Sequence, residues 1–99
     1  MRKPKYQNDL YVVRRERGLS QKEVAAILGQ RSSRELSKYE RGVKLPPLQV
    51  ALRLEIVYRR PVAFLYSFIY NQLRDDVRAR EEKSREQLMR RRQAERRHA

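Results

Sequence analysis

The chain has 99 residues, no cysteine and a single histidine, and it carries 25 Lys plus Arg against 12 Asp plus Glu, a formal charge of +13. That length leaves room for one small domain and an appendage, while zinc fingers, iron–sulfur clusters, thiol nucleophiles and histidine triads are excluded or left without parts. No enzyme, metal or cofactor is expected, and the charge points to polyanionic partners, nucleic acid ahead of anionic membrane.

The basic start Met1-Arg2-Lys3-Pro4-Lys5 runs into polar residues rather than the apolar stretch of a leader. The longest mostly apolar segment, Val62 to Tyr70, falls well short of the ~20 residues that span a bilayer. A soluble, cytoplasmic, nucleoid-associated protein without a membrane partner is the expectation.

Glycines at 18, 29 and 42 and prolines at 4, 46, 47 and 61 divide the chain into short blocks, each with helical periodicity. In the first, Leu10 and Val13 share a face, Asn8 or Asp9 is the natural N-cap, and Gly18 stops the helix. The second starts at Ser20, where Glu23 three residues on completes a capping box, and Val24, Ala25 and Leu28 form its apolar face before Gly29. The third is capped by Ser32 or Ser33 and ends at Gly42. Leu36 and Tyr39 share one face, and Arg34, Glu35, Ser37 and Lys38 surround the rest, so most of this short basic helix is free.

Pro46-Pro47 favours an extended approach and a fourth helix, in which Leu48, Ala51, Leu52 and Tyr58 follow the 3.6 period and Arg59-Arg60 meet the negative end of the dipole. Glu55 falls on that apolar face and is unexplained by burial. Pro61 opens a fifth helix whose Phe64, Leu65, Phe68, Ile69, Leu73 and Val77 step by three and four residues. That stripe runs about two turns beyond what a small domain covers, which suggests self-association; Tyr66 and Tyr70 lie off its centre as candidate rim residues. From Arg78 to Ala99 there are nine Lys or Arg, four Glu and only Leu88 and Met89 as large apolar residues. This is a basic tail, either a helical extension or disordered, adding phosphate affinity without reading sequence. Asp75-Asp76 and Glu81-Glu82 point about 100° apart within each pair and lie on a solvated face rather than in an acid–base or metal site.

The ordered set Leu10, Arg14, Gly18-Leu19-Ser20-Gln21, Val24-Ala25, Leu28-Gly29, Leu36-Ser37, Glu40-Arg41-Gly42 and Pro46 resembles the XRE-type (Cro/CI-like) helix-turn-helix domain of bacterial and phage regulators. The resemblance covers Leu10 to Leu65. It implies an all-α, five-helix, lambda-repressor-like domain over residues 1–77, with its motif at 20–42, followed by the tail at 78–99. It also implies a structural ion pair between Arg14 and Glu40, a close helix crossing at Ala25, and a left-handed turn at Gly29. The turn at Gln30-Arg31-Ser32 is one residue longer than in the commonest members, so the register is carried back from Glu40. Leu36 and Tyr39 then pack inward. Ser33, Arg34, Glu35 and Lys38 fall at positions that reach base edges, with Glu35 accepting from cytosine or orienting Arg31 or Arg34. Gln21, Arg31, Ser37, Arg41 and Lys44 fall at phosphate positions.

The function these readings imply is a sequence-specific regulator of transcription, a repressor on family grounds. It would bind double-stranded DNA as a homodimer through Phe64, Phe68, Ile69, Leu73 and Val77, on a roughly palindromic operator. The alternative is an antitoxin or adaptor that holds a partner protein through the fifth helix and tail.

Overall fold

The structure, a computed structural model, describes residues 3–98; Met1, Arg2 and Ala99, the outermost residues of the two expected segments, lie outside it. Six helices follow in order: α1 (Leu10–Glu16), α2 (Gln21–Ile27), α3 (Arg34–Glu40), α4 (Leu48–Tyr58), α5 (Val62–Leu65) and α6 (Ser67–His98), with no strand among the described residues.

Local chemistry sets the helix starts. At α1 the bonding cap is Asn8: its Oδ1 accepts from the Leu10 N–H at 3.0 Å, whereas Asp9 makes no side-chain cap. The capping box on α2 is present, the Glu23 N–H donating to Ser20 Oγ at 3.0 Å and the Ser20 N–H to Glu23 Oε1 at 3.3 Å. For α3 Ser33 holds the cap position without a side-chain bond, and Ser32 Oγ accepts weakly from the Arg34 N–H at 3.4 Å.

Leu10, Val13, Val24, Leu28, Leu36, Tyr39, Leu54, Tyr58, Leu65 and Tyr66 make one core. Each fully buried large aliphatic among them contributes roughly 1.5–3 kcal/mol relative to exposure. Two sequence expectations are corrected here. On α4 the buried residues are Ala51, Leu54 and Tyr58, while Leu48 and Leu52 are 74% and 45% exposed. The apolar positions of α4 surround much of the helix, and packing against the other helices selects the Leu54 side. Tyr66 is not a rim residue: its ring is buried in the core.

The expected fifth helix is broken in two at Tyr66, whose φ −119 and ψ 43 leave the helical region where its ring turns inward. Glu55 now has a role. Its Oε1 accepts from the Val62 N–H at 2.8 Å, satisfying an otherwise free donor at the start of α5. Beyond the break α6 runs for 32 residues, about 48 Å at 1.5 Å per residue. Ile69 packs against the core, and every described residue from 70 to 97 is exposed. The molecule measures 68 × 31 × 22 Å with a radius of gyration of 20.3 Å. A compact chain of this size would have about 13 Å, so the tail, left open between helix and disorder by the sequence, is a projecting helix.

Candidate nucleic-acid interface

Helices α2 and α3 meet across a turn from Leu28 to Ser33. Ala25 is buried where the helices approach, and Gly29 takes φ +77, a left-handed conformation that suits a residue without Cβ. The turn carries Arg31 at its exposed outer edge.

One cluster of polar side chains fixes the angle of α3. Arg14 Nε donates to Glu40 Oε2 at 2.7 Å and its Nη2 to Oε1 at 3.1 Å, a bidentate pair with side chains only 8% and 4% exposed. Arg14 Nη1 also donates to the Leu19 carbonyl at 2.9 Å, and Gln21 Nε2 donates to Glu40 Oε1 at 3.2 Å. The hydrogen bond to Glu40 raises the Arg14 pKa above its ordinary value against the lowering effect of burial. Gln21 thus stands at the first turn of α2, its side chain tied to the end of α3.

A second polar tie lies at the other edge of α3. Asn8 Nδ2 donates to the carbonyls of Tyr6 and Tyr39, both at 2.9 Å, and the Tyr6 N–H donates to the Gly42 carbonyl at 2.8 Å. The segment before α1 is thereby laid over the end of α3. Gly42, at φ +73, leaves no room for a side chain: a Cβ there would lie 2.6 Å from both Pro4 Cβ and the Tyr6 carbonyl oxygen.

With α3 so held, its two sides separate cleanly. Leu36 and Tyr39 are buried, and Arg34, Lys38 and Arg41 are exposed at positions i, i+4 and i+7 with Ser37 beside them. Ser33, Glu35 and Ser37 are half-buried. Arg41 Nε leans back to the Ser37 carbonyl at 3.4 Å.

Glu35 differs from its expected use as an orienter of Arg31 or Arg34. Its Oε2 accepts from Lys44 Nζ at 2.7 Å and its Oε1 from Lys38 Nζ at 3.4 Å, so it links α3 to the loop that follows. The Lys44 hydrogen bond holds the Glu35 carboxyl below the ordinary carboxylate range, and the Lys44 ammonium is raised in return. With a depressed acid, the tie is complete above the usual carboxylate pKa and is lost as pH falls through the lowered one.

On α6, Phe68, Leu73 and Val77 are exposed, whereas Ile69 is half-buried in the monomer's own core. Phe64 on α5 is exposed with the Arg60 guanidinium 5.3 Å from its ring centre. Sequence reasoning missed the long-range roles of Asn8, Gln21, Lys44 and Glu55. Only Glu55 left a trace, as a carboxylate out of place on an apolar face.

An α2–turn–α3 pair packed through Val24, Ala25, Leu28, Leu36 and Tyr39, with arginine and lysine on the outer side of α3, defines a helix-turn-helix unit. The helix-turn-helix family model matches residues 10–65, and the chain belongs to this XRE-type family of DNA-binding regulators. A relative from Pyrococcus horikoshii, provisionally named an HTH-type transcriptional regulatory protein, is 39% identical over 66 residues, 67% of this chain. The match takes in 21% of that relative's length. Among the described residues no helix is long and apolar enough to cross a membrane.

Proposed function

We propose that the protein is a sequence-specific DNA-binding regulator of transcription, acting as a repressor by occupying an operator with α3 in the major groove. The observation that carries this reading is the division of α3. Its buried side is locked by Arg14, Glu40 and Asn8, and its free side aligns Arg34, Lys38 and Arg41. Arg34 is the base reader. Its guanidinium suits O6 and N7 of a guanine, and Ser33, Glu35 and Lys38 flank it along the groove. Gln21, through its backbone N–H at the start of α2, with Arg31, Ser37, Arg41 and Lys44, holds phosphates. Phe64, Phe68, Leu73 and Val77, with the free part of Ile69, pair two copies on half-sites ~34 Å apart.

Selection from randomised duplexes at ~0.15 M salt, where purely electrostatic binding is suppressed, tests the reading. The native chain should enrich a roughly palindromic motif, and Arg34→Ala should relax it at one guanine, a contact worth ~1–3 kcal/mol. Recovery of the same motif with Arg34→Ala would remove Arg34 from base readout, and enrichment of nothing would remove sequence-specific binding altogether. An adaptor role is favoured by one observation, the exposed apolar stripe of α6, and enrichment of nothing would turn attention there.

A further inference from the structure

The charge of α6 is unevenly placed. Between Ser67 and Met89 five basic residues (Arg74, Arg78, Arg80, Lys83, Arg85) and five acidic ones (Asp75, Asp76, Glu81, Glu82, Glu86) cancel. From Arg90 to Arg97 there are five arginines and the single Glu95. The whole excess of this helix therefore sits in its last two turns, about 35 Å along the axis from Ser67.

Near the domain Arg74 lies 3.2 Å from Asp75 and Arg80 lies 3.5 Å from Asp76, while Arg78, Lys83 and Arg85, like Arg90, Arg91, Arg92, Arg96 and Arg97, make no ion pair among the described residues; what sets the distal part apart is its uncancelled charge. All five distal arginines are exposed. At 100° per residue they fall at about 0°, 100°, 200°, 240° and 340° around the axis, so no side of the helix is left without a guanidinium. A flat anionic surface would engage one side of such an element and leave the opposite arginines idle. A membrane surface would in addition need an apolar side, which these two turns lack. What matches an arginine collar is a cleft with phosphates on both walls. The major groove of duplex DNA, about 12 Å wide, admits a helix of 10–12 Å diameter and offers that arrangement.

We propose that the distal end of α6, Arg90 to Arg97, is a second DNA-binding element. It clamps the phosphates of a groove outside the segment held by α3 and reads no sequence. The collar begins about 35 Å along the axis from the root of α6, roughly one turn of duplex, ~34 Å, so it meets phosphates beyond those held by the α3 of its own chain. This rests on the helix-turn-helix reading for the placement of α3, but the collar's own affinity for DNA does not.

The test compares the full native chain with a variant in which Arg90, Arg91, Arg92, Arg96 and Arg97 are all changed to Gln, a residue that keeps helical propensity. Circular dichroism checks that the helix persists. Binding is measured on random-sequence duplexes of about 15 and about 35 base pairs over a salt series, and motif selection is run on both proteins. The slope of log affinity against log salt on the longer duplex should become shallower by about 3 to 5, since each neutralised phosphate contributes about 0.9. The gain from lengthening the duplex should shrink to what the extra binding registers supply, and the selected motif should stay the same. An unchanged slope, or an unchanged length dependence, overturns the proposal, as does equally tight binding of the native chain to vesicles of mixed neutral and anionic phospholipid. A shallower slope with no motif from either protein would sink the α3 reading and leave the collar standing.

Discussion

Arg14 and Glu40 are 26 residues apart, and the bond between them orients α3 on the rest of the domain. Burying two charges has a desolvation cost that their attraction only partly offsets, so the pair's net contribution is smaller than the damage done by removing half of it. Arg14→Met leaves the Glu40 carboxylate with Gln21 as its one remaining side-chain donor, and Glu40→Leu leaves a buried guanidinium with only the Leu19 carbonyl. Each single change should cost about 3–5 kcal/mol, a large share of what a domain this small possesses. The double change should recover much of that, because no orphaned charge remains. Urea unfolding of the four proteins measures it. Losses that simply add would show that the two residues act independently.

At the scale of elements, α3 is joined to the following loop by Glu35, which engages Lys44 and Lys38 together. In the free protein this carboxylate holds two ammonium groups, Lys44 and Lys38, that the proposed function assigns to DNA. Glu35→Gln should therefore tighten binding to random-sequence duplex and steepen the salt slope by up to about 2, one increment for each released lysine. Discrimination between selected and random duplex should fall in parallel. Filter binding across a salt series reads both effects, and an unchanged slope would show that neither lysine is restrained by the carboxylate. This tie was not legible in the sequence, because nothing in residues 35 to 44 says that the loop folds back on α3. What was legible is local or periodic: the Ser20–Glu23 capping box, the glycine stops, and the shared face of Leu36 and Tyr39 on α3, which the resemblance then turned inward. The resemblance supplied the Arg14–Glu40 pair, which spacing alone could not. On α4 periodicity was ambiguous, since Leu48 and Leu52 fit the 3.6 repeat as well as Leu54 does, and only the packed helices choose between them. The break at Tyr66 was hidden for a related reason: a buried tyrosine that ends one helix and begins another looks, in sequence, like one more member of a continuous stripe.

For the molecule as a whole, the radius of gyration of 20.3 Å describes a small domain with a helix longer than that domain can cover. Leu73 and Val77 lie beyond the core at 59% and 50% exposure, on a helix four residues apart, with Phe68 exposed at its root. A helix with apolar residues on one side and water on every side is not stabilised by burial, so the stripe gains only when something lies against it. A second copy related by a two-fold axis satisfies this with the same surface from both partners, and it would place two α3 helices on one duplex. Leu73→Asp combined with Val77→Asp sets four carboxylates into that contact and should convert the protein to a monomer in sedimentation equilibrium. Neither residue contributes to the monomer core, so helix content and thermal unfolding at low concentration should stay close to native. Binding to one isolated half-site should survive, while the advantage of a palindrome over a single half-site, which arises from linking two binding events, should disappear. A variant that stays dimeric would move the dimer contact off α6, and a native chain already monomeric at micromolar concentration would remove the dimer; either outcome leaves that stripe free for a different protein.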